Sequence, residues 1–76
     1  DFLEYAFKIA KKGTIIHYED LLNNDEENIE KETERSLNNI KDAATKAGFK
    51  IKLIKLNFVK NYKPHIGHYV LDVKVE

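Results

Sequence analysis

The stretch TIIHYEDLLNN, residues 14–24, decides the fold. Its first half, TIIHY, packs β-branched and aromatic residues into five positions and reads as a short strand. Its second half, YEDLLNN, sets Leu21 beside Leu22 among polar residues and reads as a short helix with both leucines inward. Asn24 followed by Glu27 has the pattern of a capping box that would open the next helix.

Upstream, Phe2, Leu3, Ala6, Ile9 and Ala10 recur at helical spacing, with Tyr5 and Phe7 widening the stripe. A helix is expected over residues 2–12, favoured by Lys8, Lys11 and Lys12 at its negative end and stopped by Gly13. Downstream, Ile29, Thr33, Leu37, Ile40, Ala43, Ala44 and Ala47 share one helical face, and Gly48 ends it. The acidic DEENIEKETE, residues 25–34, reads as a loop or frayed turn ahead of the secure helix. Phe49, Ile51 and Leu53 then alternate with lysines before Ile54, Leu56 and Phe58 take over the phase. Such a slip predicts a bulge near Leu53–Ile54, or a strand buried on both sides there. Tyr69, Leu71, Val73 and Val75 form one face of a last strand, with His68, Asp72 and Lys74 on the other. A loop with the only proline joins these two runs into an antiparallel hairpin. Tyr5, Phe7, Phe49, Phe58 and Tyr69 are candidates for the core, and Tyr62 for partial exposure.

Seventy-six residues, 42% of them apolar, make one domain spanning 1–76 with a single small core. Without cysteine there is no disulfide framework and no thiolate nucleophile or thiolate metal site. No apolar run approaches a bilayer span and no signal peptide is visible, so a cytoplasmic protein without membrane contact is expected. The chain opens on Asp1 rather than Met, as a segment of a longer protein would. Net charge is zero, yet it is unevenly spread. Residues 19–34 hold eight acids against Lys31, whereas residues 35–63 hold eight bases against Asp42, which predicts a basic side. His17, His65 and His68 lack a recognised ligand pattern, so no metal is expected. Ser36, the only serine, is placed at a helix start for capping. The three glycines are isolated, so no phosphate loop and no cofactor are expected.

Taken together, FLEYAFKIAKKGTIIHYEDLL and TERSLNNIKDAATKAGFKIKLIKL resemble the winged helix-turn-helix superfamily, over nearly the whole chain. That resemblance implies an α+β fold of three helices, a short strand and a C-terminal antiparallel hairpin. It implies the DNA-binding domain of a transcription or replication regulator, with double-stranded DNA as partner and no enzymatic activity. The helix over 35–47 would enter the major groove, presenting Arg35, Asn38, Asn39, Thr45 and Lys46. The hairpin loop over 60–67 would be the wing, with Lys60, Lys63 and His65 on phosphate. Asp42 in the reading face and the acids before Arg35 oppose this. The alternative is a non-catalytic protein- or peptide-interaction module, or a homodimer, since fold does not settle function. AATKAGFKIKLIKLNF followed by GHYVLDV is similar to the papain-like peptidase domains that trim bacteriocin leaders, with His68 in the histidine role. Lacking a cysteine, the chain could be only a degenerate, peptide-binding relative of them.

Overall fold

The computed structural model describes residues Phe2 to Glu76. Two helices lie on one face of a three-stranded antiparallel sheet. Helix α1 spans Phe2–Ile9, strand β1 Ile15–Asn23, helix α2 Ile29–Lys46, strand β2 Ile51–Lys63 and strand β3 Ile66–Val75. The sheet order is β1-β3-β2, so the last strand of the chain lies at the centre.

The winged-helix expectation fails at the decisive stretch. Residues 15–23 form one unbroken strand rather than a strand and a helix. Ile16 pairs with Val73 and Leu22 with Gly67, nine registered pairs in all without a bulge. The adjacent leucines are therefore split between faces. Leu22 is fully buried and Leu21 is 43% exposed, the period of two that a strand imposes. With two helices in place of three, the helix-turn-helix unit does not exist among the described residues. The α+β class and the C-terminal hairpin are as expected.

Helix α2 begins at Ile29, with Asn28 as its N-cap and no side-chain capping bond, so the Asn24–Glu27 capping box does not form. Asn24 instead gives its amide N–H to the His65 carbonyl, extending the β1–β3 ladder. Ser36 is not a cap either. It lies two turns into α2, fully buried, with its hydroxyl on Asp20 Oδ2 at 2.7 Å. Gly48, at φ 84°, takes the left-handed conformation that ends α2.

The core sits between the helices and the sheet. Leu3 and Phe7 of α1 and Ile40 and Ala44 of α2 pack on Ile16, Ile51, Leu71, Val73 and Val75. Phe49 tilts against Phe7, but Tyr5 and Phe58 are 63% and 55% exposed and lie outside the core expected for them. Strand β2 carries the foreseen bulge between Leu53 and Lys55 and two more, at Phe58/Lys60 and Asn61/Lys63. The hairpin closes tightly on Pro64 and His65, and His65 takes φ 68°. Proline followed by a positive φ is the pattern of a type II turn. Gly67 allows the neighbouring strands to crowd here, because a Cβ would fall 2.8 Å from both Asn24 and Tyr69.

Candidate functional site

The outer face of the sheet, opposite the helices, is built by alternation along β3. Gly67, Tyr69, Leu71, Val73 and Val75 point inward, so His68, Val70, Asp72 and Lys74 point outward. Register then fixes their neighbours. Lys52 lies across from Lys74, and His17 and Lys55 flank Asp72. Lys60 lies across from His68, and Lys63 from Ile66. Five lysines, Lys52, Lys55, Lys60, Lys63 and Lys74, thus share a face with two carboxylates, Glu19 and Asp72.

Both carboxylates have histidine neighbours. His17 Nδ1–H donates to Asp72 Oδ1 at 2.5 Å, and Asn57 Nδ2 donates to Asp72 Oδ2 at 2.9 Å. The His17 bond holds the Asp72 carboxyl below its ordinary range, partial desolvation opposes it, and the Asn57 bond adds to the lowering. His68 Nε2 lies 3.7 Å from Glu19 Oε2. The outward placing of His68, Asp72 and Lys74 was legible in the alternation. His17 was not, because its partner lies 55 residues away.

A second polar cluster gathers at the C-terminal end of β1. Arg35 Nε donates to Glu32 Oε2 at 3.0 Å, and its Nη2 lies 3.6 Å from Asp20 Oδ2. The bond to Glu32 raises the Arg35 pKa above its usual value. Glu32 also accepts the backbone N–H of Asn23 at 3.0 Å, and this bond, then Arg35, lowers its own pKa. Arg35 is therefore held among acids instead of standing free above a groove. Nearby, His65 Nδ1–H donates to Asp25 Oδ1 at 2.5 Å, tying the hairpin turn to the loop before α2.

The expected site residues do not form one surface. Arg35, Asn38, Asn39, Thr45 and Lys46 belong to α2, on the helical side. Asn39 and Lys46 line an open groove of about 700 Å³ between the two helices, floored by Leu3, Phe7 and Tyr18. Lys60 and Lys63 sit on the opposite, outer face. Among the described residues no three His, Asp or Glu side chains gather to hold a metal ion. Among the described residues no helix is long and apolar enough to cross a membrane.

No family model matches the chain, and no curated protein matches it. Two solved structures share its fold. Trm5b from Pyrococcus abyssi superimposes with a TM-score of 0.81 at 25% identity, over 99% of this chain and 21% of Trm5b. PH0793 from Pyrococcus horikoshii, provisionally named a transferase, gives a TM-score of 0.70 at 24% identity over 95% of this chain and 27% of PH0793. The chain therefore spans about a fifth to a quarter of the proteins it resembles. These likenesses overturn the DNA-binding regulator and, with it, double-stranded DNA as partner. The expectation of no enzymatic activity is overturned with them, because the same fold recurs as part of Trm5b.

Proposed function

We propose that this chain is the sheet-end segment of a larger methyl-transferring enzyme that acts on RNA. The observation that carries the reading is the superposition of 99% of the chain on one fifth of Trm5b, whose name marks a tRNA methyltransferase. Such a segment contributes the end of a catalytic domain's sheet, and the rest of the domain completes it. A cytoplasmic setting belongs to the same reading.

The molecule's two edges support it. At the β2 edge, three bulges and a run of lysines work against pairing with a further strand. The β1 edge is regular. Thr14 accepts from Val75 N–H and so faces β3, which turns the backbone groups of Ile15, His17, Glu19, Leu21 and Asn23 to the free edge. There the amides of Leu21 and Asn23 are already bonded, to Asp20 Oδ1 and Glu32 Oε1. A further strand would therefore join along Ile15–Glu19. Helix α1 agrees. It buries Leu3 and Phe7 on one side and exposes Phe2, Tyr5 and Ile9 on another. A helix apolar on more than one face belongs inside a larger body.

The residues here do not fit a site for the methyl donor, S-adenosylmethionine. Gly13, Gly48 and Gly67 are isolated, and Glu30 and Glu32 in the first turn of α2 would repel the donor's carboxylate. Donor chemistry falls to the remainder of the enzyme.

The test is a chimera in which this chain replaces the matching fifth of Pyrococcus abyssi Trm5b. Transfer of a radiolabelled methyl group to tRNA is expected, at a reduced rate. A chimera that folds cooperatively, binds the donor and transfers nothing contradicts the reading.

A further inference from the structure

We propose that the bulged β2 edge and the adjoining outer face are an RNA-backbone contact surface, made by Lys52, Lys55, Lys60, Lys63 and Lys74, with Tyr62 stacking on an unpaired base. This rests on the reading of the chain as part of an RNA-modifying enzyme, and names the part of it that RNA would touch.

The charge on this face is unbalanced and available. Glu19 and Asp72 are approached by His68 and His17. None of the five lysines lies within ion-pair distance of a described carboxylate, and only Lys55, across from Asp72, acts on one through space. All five are exposed. Register lays the four lysines of β2 opposite Lys74, Asp72, His68 and Ile66, a row of roughly 25 Å at the usual rise of a strand. That length reaches several successive phosphates, and each lysine can replace a condensed counterion.

The bulges decide what kind of partner fits. Each inserts one extra residue into β2, namely Ile54, Val59 and Tyr62. They break the repeat that a β-strand partner needs, so recognition here goes through side chains. Tyr62 is 64% exposed beside Lys60 and Lys63. An aromatic ring interleaved with lysines is the arrangement that stacks bases while phosphates are held. Bases splayed from RNA loops are open to such stacking, unlike those inside a duplex.

The experiment is fluorescence anisotropy of a labelled RNA stem-loop titrated with the 76-residue chain, from about 50 to about 200 mM salt. The Lys52→Gln/Lys55→Gln/Lys60→Gln/Lys63→Gln variant is compared with Lys8→Gln/Lys11→Gln/Lys41→Gln/Lys46→Gln, which removes the same charge elsewhere. All eight lysines are exposed, and thermal melting checks that both variants stay folded. The outer-face variant is expected to bind roughly ten- to a hundred-fold more weakly, with a salt slope shallower by about 0.7 per lost contact. The control should lose far less, and Tyr62→Ala should weaken the stem-loop more than a fully paired duplex.

The proposal is overturned if the chain does not bind RNA, if both variants lose equally, or if duplex DNA binds as tightly and with the same losses. It is also overturned if the outer-face variant keeps its RNA affinity but self-associates, since the lysines would then only guard a sheet edge. This binding measurement is independent of methyl transfer. RNA binding by the chain with an inactive Trm5b chimera would sink the transferase reading alone, whereas an active chimera whose KM for tRNA ignores these lysines would sink this surface alone.

Discussion

Asp72 is the residue where the outer face is most tightly organised. Its two oxygens accept from His17 on one neighbouring strand and Asn57 on the other, so one carboxylate clasps all three strands. Its pKa is lowered in the folded protein, with the His17 bond as the largest cause. A lowered carboxylate pKa adds stability above the unfolded value of about 4, and that stability is lost as pH falls through the folded value. Asp72→Asn should therefore be less stable than the native chain near neutral pH, and the difference should shrink as pH drops below about 4. Urea midpoints of the two proteins across that range test this, and a difference independent of pH would contradict it. The sequence showed that Asp72 faces outward, because alternation is local. It did not show the partners, because the clasp joins residues 17, 57 and 72 through pairing that no local pattern encodes.

Strand β1 is the element on which the fold turns. Adjacent leucines between polar residues fit a helix as well as a strand, and local propensity cannot separate the two. Pairing with β3 separates them by burying Leu22 and exposing Leu21. Leu22→Ala should cost about 2–5 kcal/mol, and Leu21→Ala within about 0.5 kcal/mol, by urea denaturation. Equal costs would fit the helix with both leucines inward and not this strand. The other elements were more legible because their signals are long or redundant. Helix α2 repeats its apolar positions over five turns and ends at a glycine in the left-handed conformation. Strand β3 alternates strictly, and the first bulge in β2 was announced by its phase slip. The acidic stretch before Arg35 is a loop only in part, since the helix already runs from Ile29 and uses Glu32 to hold Arg35. Of the candidate residues, Lys60 and Lys63 lie on a basic face, as their sequence neighbourhood indicated. The α2 residues were grouped with them only because a winged helix would bring recognition helix and wing together. In this fold the sheet stands between them.

At the scale of the whole molecule, the two edges of the sheet are unlike, and that asymmetry supports the account. The β2 edge is bulged and basic, and the β1 edge is regular, with the exposed Phe2, Tyr5 and Ile9 of α1 on the same segment of chain. Phe2 reaches toward Tyr18 of β1, with ring centroids 6.5 Å apart, so the apolar side of α1 lies near that edge. The most direct measurement is amide hydrogen exchange at β1, in the isolated chain and in the Trm5b chimera. In the isolated chain the edge-facing amides of His17 and Glu19 should exchange much faster than those of Ile16 and Tyr18, which face β3. In the chimera they should slow to the same level, while amides on the β2 edge stay unchanged. Edge amides that remain fast in a folded chimera, or protection that appears at β2 instead, would contradict the claim that this chain ends a larger sheet and is joined to it through β1.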